Sequence, residues 1–299
     1  MASAQMELRT TGAKVTLRSR IVDIVGYREL LVNLVRKELK VRYKNSVLGF
    51  LWSLVNPAIT IAVYYVIFSL VFKNPIRPFV IFLMPSILAW NMFQTALSSG
   101  VGSVVGNAPL VKKVWFPREI LTLASVGSAS VDFGLQSLVL IATLIIMRWH
   151  VGWTWLPLVP LALVCVLLFS TALGLWLAAV NVKFRDTQHF LGIALMVWFW
   201  GTPIIYSFRQ VSDKLGQYHL GNLLLLNPFT IVALCFQRAF YNRASVASAD
   251  PKKPIHVLPP WGYGQYLGLL AIFAAVSLLL LVYASRKFRK LEGDFAEEL

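Results

Sequence analysis

Charge is what this 299-residue chain has least of: 14% of its residues are Asp, Glu, Lys or Arg, against 58% that are hydrophobic, and the mean hydropathy is +0.68. Soluble domains carry about 25% charged residues, so a water-soluble globular class is excluded. Acidic residues are scarcer still, 13 against 28 basic ones, for a formal net charge of +15. No pair of carboxylates is arranged for glycosyl chemistry. The four histidines (150, 189, 219 and 256) lack metal-ligand spacing. The GxxxxGK(S/T) pattern does not occur, so the chain is not expected to bind ATP through a P-loop. Cys165 and Cys235, the two cysteines, sit in apolar surroundings and read as small buried hydrophobes rather than a disulfide. Residues 1–26 are polar and basic with no apolar core of the signal-peptide kind. The first apolar span is therefore expected to serve as the insertion signal.

What is present is a series of long apolar runs, each able to cross a hydrocarbon core about 30 Å thick as a helix. They lack barrel alternation, which leaves an all-α polytopic membrane protein. Spans are expected at roughly 50–72, 79–100, 121–147, 156–180, 190–208 and 263–285. The run 215–237 is also free of charge, and parity decides its status. Ten basic residues precede the first span and four follow the last, so both ends are expected to be cytoplasmic. Six crossings meet that requirement and seven do not. With six, nineteen of the 28 basic residues fall on the cytoplasmic side. That placement marks topology and anionic lipid contact rather than nucleic-acid binding. Residues 215–237, interrupted by Gly216, Gly221 and Asn227-Pro228, would then dip into the membrane and return, or form an interfacial helical hairpin.

Four features carry candidate chemistry. Residues 27–46 put Tyr27, Leu30, Leu31, Leu34 and Val41 on one face, with Arg28, Arg36, Lys37, Lys40 and Lys44 mostly elsewhere. Such a helix is expected to lie flat in the headgroup plane, as an anchor or as a docking surface for a cytoplasmic partner. The loop 107–120 offers an apolar knob (Leu110, Val111, Val114, Trp115, Phe116) between Pro109 and Pro117, rimmed by Lys112, Lys113, Arg118 and Glu119, a pattern suited to a groove on another protein. Asp132 is the one acid inside a span. A structural hydrogen bond to a neighbouring helix or subunit is the expected role, with a proton relay as the alternative. Finally, Phe79, Phe82, Trp90 and Phe93 form a stripe along the second span, with Tyr65, Phe68 and Phe72 in the first and Trp198, Phe199 and Trp200 in the fifth. These could line a carbohydrate passage, or be headgroup belts and ordinary packing.

Four stretches taken together resemble the permease subunit of ABC-2 type exporters of O-antigen and teichoic-acid-like polymers, the Wzm class. They are YKNSVLGFLWSLVNP at 43–57, NAPLVKKVWFPREIL at 107–121, NVKFRD at 181–186 and NPFT at 227–230, in the family's order. The wording is similar to the mycobacterial branch that exports lipid-linked galactan. The resemblance implies an N-terminal cytoplasmic segment at 1–46 with an interface helix, a transmembrane domain at 47–285 with a re-entrant outer gate at 209–241, and a cytoplasmic tail at 286–299. It implies a homodimer in the cytoplasmic membrane with two copies of a separate ATPase beneath, which would hold the ATP and magnesium; this chain would hold no cofactor or metal and catalyse nothing.

ATPase coupling would fall to Asn107, Pro109, Leu110, Lys112, Lys113, Phe116, Pro117, Arg118 and Glu119, with Arg185 and Asp186 as a second contact. The channel would be lined by Tyr65, Phe68, Phe72, Phe79, Phe82, Trp90, Phe93, Trp198 and Trp200, and gated by Asn227, Pro228 and Phe229. Arg36, Lys40, Arg42 and Lys44 would meet the pyrophosphate of a polyprenyl-linked polysaccharide. Two rivals stand beside this reading: a membrane-embedded glycosyl- or acyltransferase, and a transporter driven by protons through Asp132.

Overall fold

The computed structural model describes residues 22, 24–44, 49–72, 75–217, 221–246, 255–293 and 295–299. Most of the expected 1–26 segment, residues 45–48 of the first motif and residues 218–220 of the expected gate lie outside the described residues. The described chain is helical apart from a two-residue antiparallel bridge, Ser245–Val246 with Ile255–His256. In chain order the helices are α1 (Arg28–Tyr43), α2 (Trp52–Tyr65, continued by a π-helical turn Val66–Val71), α3 (Phe79–Gly106), α4 (Ala108–Lys113), α5 (Glu119–Ile146), α6 (Leu158–Lys183), α7 (Thr187–Trp200), α8 (Phe208–Gly216), α9 (Pro228–Phe240), α10 (Tyr263–Glu292) and α11 (Phe295–Glu298). Among the described residues five stretches are long and apolar enough to cross a membrane: Trp52–Val71, Phe79–Gly106, Glu119–Ile146, Trp153–Lys183 and Tyr263–Glu292.

Helix α3 is the hub, packed against α5, α6, α7 and α9. It is the most buried of the five and also the least apolar. A helix surrounded by protein can hold polar side chains that a lipid-facing one cannot, and Ser86 in α3 donates to the carbonyl of Ala233 in α9 at 3.0 Å. Close approach of α5 and α6 requires Gly174, where a Cβ would sit 2.9 Å from Thr122 Cγ2. By contrast α2 touches only α3 and α5 to any extent and leaves most of its surface uncovered.

The bundle has two distinct ends. At one, α1, α4, the α6–α7 turn and the last turns of α10 gather around a second core of Leu34, Val111, Phe116, Ile120, Val182, Phe288 and Phe295. The far end is built from the α2–α3 and α5–α6 connections and the segment after α9.

Two expectations need correcting. Helix α1 does not spread its apolar face on a headgroup plane. Leu34 is buried, and Tyr27, Leu30, Leu31 and Val35 pack into the second core; Val41 alone of the predicted face is exposed. The physical reason is a matching polar seam on α5: both Glu38 carboxylate oxygens accept hydrogen bonds, from Ser125 at 3.0 Å and Ser128 at 2.7 Å. The expected fifth crossing at 190–208 is not continuous either. Helix α7 spans fourteen residues, about 21 Å at 1.5 Å per residue, short of a core about 30 Å thick. Gly201 and Pro203 end it, since proline supplies no N–H donor and disfavours helix at the residue before it.

Candidate functional site

Where α7 stops, Asn227 takes over. Its Oδ1 accepts from the Trp198 indole at 2.7 Å and from the Phe229 amide at 3.0 Å, capping α9. Its amide nitrogen donates to the Gly201 carbonyl at 3.1 Å and to Thr202 Oγ1 at 2.8 Å. One side chain thus closes the C-terminus of α7 and opens α9, with Pro228 at the first helical position where its missing N–H costs nothing. Gln237 donates to the Pro203 carbonyl at 2.9 Å, covering the non-helical stretch further along.

This junction sits at mid-depth. Trp198 packs against Trp90 and Phe93, which lie about 17 and 21 Å from the start of α3. From there α9 runs to the far end, where the Ala239 and Phe240 carbonyls accept from Gly152 N at 2.8 Å and the Trp149 indole at 3.0 Å. Arg238 and Arg243 stack over Trp155 and Trp149, each at 4.4 Å. Tyr241 donates to the Arg77 carbonyl at 3.1 Å. Burial pushes the Tyr241 phenol up to about 12, against a smaller opposite pull from Arg243, so that donor keeps its proton. Residues 209–241 therefore form two helices, α8 and a half-span α9, whose inner end meets α7.

The aromatic stripe is placed differently from the expectation. Phe79, Phe82, Trp90 and Phe93 are all buried inside the subunit, and with Phe169, Trp198 and Phe229 most of them form a ring-on-ring core at contact distances of 5.0–6.3 Å. Phe79, Phe82 and Phe93 are turned into the subunit and do not line a passage on its outside, whereas Trp90, though 2% exposed, borders one of the recesses described next. Phe68 is half-buried against Phe79. Tyr65, Phe72 and Trp200 are exposed.

What does form a groove is polar and went unread in the sequence. A recess of about 510 Å³ opens between α1, α2, α3 and α5, lined by Arg42, Trp52, Asn56, Thr60, Asn91, Gln94, Thr95, Asp132 and Gln136 among others. A second recess of about 300 Å³ shares Thr60, Asn91 and Gln94 with it and continues to Tyr64, Met196, Phe199 and Trp200. The two make one furrow from the α1 end to the α7 break. Uncharged amides add nothing to a charge count, so a search for charge-free spans passes over them; polar side chains at span depth were the available signal. Asp132, thirteen residues into α5, pairs with Arg42 of α1. Asp132 thus ties α5 to α1, and Arg42 stays exposed, as do Arg36, Lys40 and Lys44.

At the α1 end, residues 107–119 split into an anchor and a projection. Val111, Phe116, Pro117 and Glu119 are buried, Leu110 is half-buried, and Lys112, Lys113, Val114 and Trp115 stand out, Trp115 at 74% exposure against 3% for Phe116. Pro109 is exposed at the start of α4. Asn107 joins α3 to α4 and accepts from Lys37 of α1 at 2.8 Å, while its amide donates to the Ser103 carbonyl at 2.8 Å. Arg118 is braced from behind: its guanidinium donates to the Glu292 carbonyl and lies over the Phe295 ring, and its backbone N–H donates to Glu292 Oε1 at 3.3 Å. Lys183, Phe184, Arg185 and Asp186 form a second exposed patch at the same end.

Comparison with known proteins agrees with this geometry. The family described as ABC-2 type transporter matches residues 29–242, from the start of α1 to just past α9. The O-antigen export system permease protein RfbA of Myxococcus xanthus is 32% identical over 279 residues, 93% of this chain and 98% of its own length. Two proteins of the same name from Klebsiella pneumoniae are 31% and 30% identical over 219 residues, each match covering 73% of this chain and 83% of the relative.

Proposed function

The chain belongs to the ABC-2 type transporter family, and on that premise we propose that it is the membrane-spanning permease of an ATP-driven polysaccharide exporter. It works as a homodimer with a separate ATPase, two copies of which seat against the α1 end and carry the ATP and magnesium. Both termini are cytoplasmic in this reading. The exposed Val114–Trp115 projection with Lys112 and Lys113, and the patch at Lys183–Asp186, are the docking points. The buried half of the same loop supports a rigid link, because Phe116 and Pro117 cannot move without the second core moving.

Nucleotide must favour one permease conformation over the other for anything to shift. Displacement of α4 would pass into α3 through Asn107, and into α1 through the Lys37–Asn107 bond. The passage is the furrow along α2, α3 and α7, and the single observation that carries it is the neutral amide and hydroxyl lining of that furrow at membrane depth. Asn227, Pro228 and Phe229 act as the gate by joining the two half-length helices; such a joint can bend without breaking a continuous helix. The cargo is a lipid-linked glycan of galactan type, with its pyrophosphate met by Arg36, Lys40 and Lys44. Depleting the chain in cells and assaying lipid-linked glycan on each side of the membrane tests this: the glycan should build up on the cytoplasmic side, and unchanged appearance outside would refute it.

A further inference from the structure

We infer that the larger recess is a binding subsite for uncharged sugar residues, and that Asp132 sets its selectivity by holding Arg42 neutralised. This rests on the proposed passage and adds which groups read the cargo and which cargo they refuse. Polar side chains at span depth are costly unless water or a polar ligand meets them. Here amides arrive from three helices onto one space: Asn56 of α2, Asn91 and Gln94 of α3, and Gln136 of α5. The volume falls in the range of roughly 300–1,000 Å³ common for small-molecule sites.

Their hydrogen-bonding states suit hydroxyl groups, which both donate and accept. The Oε1 of Gln136, a residue of the recess wall, is buried with no hydrogen-bond partner among the described residues, an acceptor left for a group that reaches it. Gln94 has its oxygen occupied by the Trp90 indole at 3.1 Å, so it presents its amide N–H groups. Trp52 is partly exposed on the α2 wall, an aromatic face of the kind that stacks on the CH face of a sugar ring. Among the described residues lining this recess the cation is Arg42, and it is paired with Asp132, whose side chain is 7% exposed. Arg42 keeps further N–H donors, while the pair as a whole carries no net charge. Among the described residues, an anionic group entering the recess would meet the Asp132 carboxylate with Arg42 already paired.

The test uses the permease–ATPase complex in lipid nanodiscs with Thr95→Cys, a close steric match, reacted with a small hydrophilic thiol reagent. Two soluble probes are compared: a β-linked galactotetraose and an acidic galacturonate tetramer of similar size. Galactotetraose is expected to slow labelling at least tenfold and the acidic tetramer less than twofold. Gln136→Leu should cut the galactotetraose effect below threefold. Asp132→Asn should raise protection by the acidic tetramer at least threefold, because Arg42 then carries an unbalanced charge. Absence of labelling, labelling unaffected by either probe, or equal protection by both in the otherwise unchanged chain would each overturn the inference. Glycan export by cells carrying the unsubstituted chain separates the two readings. Export that depends on the chain, without probe protection, defeats the subsite alone; export that persists without the chain defeats the transport reading itself.

Discussion

Trp198 and Asn227, 29 positions apart, meet through an indole N–H to amide oxygen bond of 2.7 Å at the point where two incomplete helices join. Asn227→Ala removes this bond, the α9 cap and both bonds to the Gly201–Thr202 corner. A lost cap costs about 1 kcal/mol, and buried groups left unpaired add about 1–3 kcal/mol. A lower midpoint in thermal unfolding, followed by tryptophan fluorescence in detergent, is expected together with slowed export. A variant that melted like the parent would show the joint to be unimportant for stability.

Adjacent aromatics in the loop 107–120 should behave oppositely. Phe116→Ala empties a buried site and should destabilise by about 3–5 kcal/mol. Trp115→Ala, at a largely exposed position, should change stability by less than about 0.5 kcal/mol. It should nevertheless weaken co-purification of the ATPase several-fold. Equal retention of the ATPase by the Trp115 variant would remove that residue from the docking surface.

The Arg42–Asp132 pair lends itself to a double-mutant cycle. Arg42→Met removes the paired cation from a carboxylate at depth; allowing for the partial exposure of Arg42, the loss should be about 1–3 kcal/mol. Combining it with Asp132→Asn should recover much of that loss. Additive losses in the unfolding midpoint would mean that the two side chains do not interact.

Placement of the aromatics makes a further contrast. Trp90, at 2% exposure, packs in the core where it borders the furrow, and Trp90→Ala should cost about 3–5 kcal/mol. Trp200, at 57% exposure, lines the furrow, so Trp200→Ala should leave the melt unchanged and lower the export rate. Comparing melting curves with export rates for the two variants would expose a reversed assignment.

Hydropathy and charge asymmetry made the long helices and the basic connections readable in the sequence, whereas Asn227-Pro228 read as an interruption and is in fact the cap and first residue of α9. Partnerships between distant elements were not readable. Asp132 announced itself as an acid in an apolar run, but Arg42 lies 90 positions away on a helix whose apolar face suggested lipid. The stripe Phe79–Phe93 had the right period for one face. Periodicity alone does not say whether that face meets a cavity or another helix, and most of α3 meets protein while its Asn91, Gln94 and Thr95 side opens on the furrow. The furrow stayed hidden because Asn91, Gln94 and Gln136 bear no charge. The early stop of α7 had a signal in Gly201 and Pro203, outweighed by the apolar residues around them.

The most direct measurement is ATP-driven movement of radiolabelled lipid-linked glycan into sealed inside-out vesicles that carry this chain with its ATPase. Uptake that needs ATP, and that vanishes when the chain is omitted, is what the account predicts. Equal uptake in vesicles lacking the chain would contradict it.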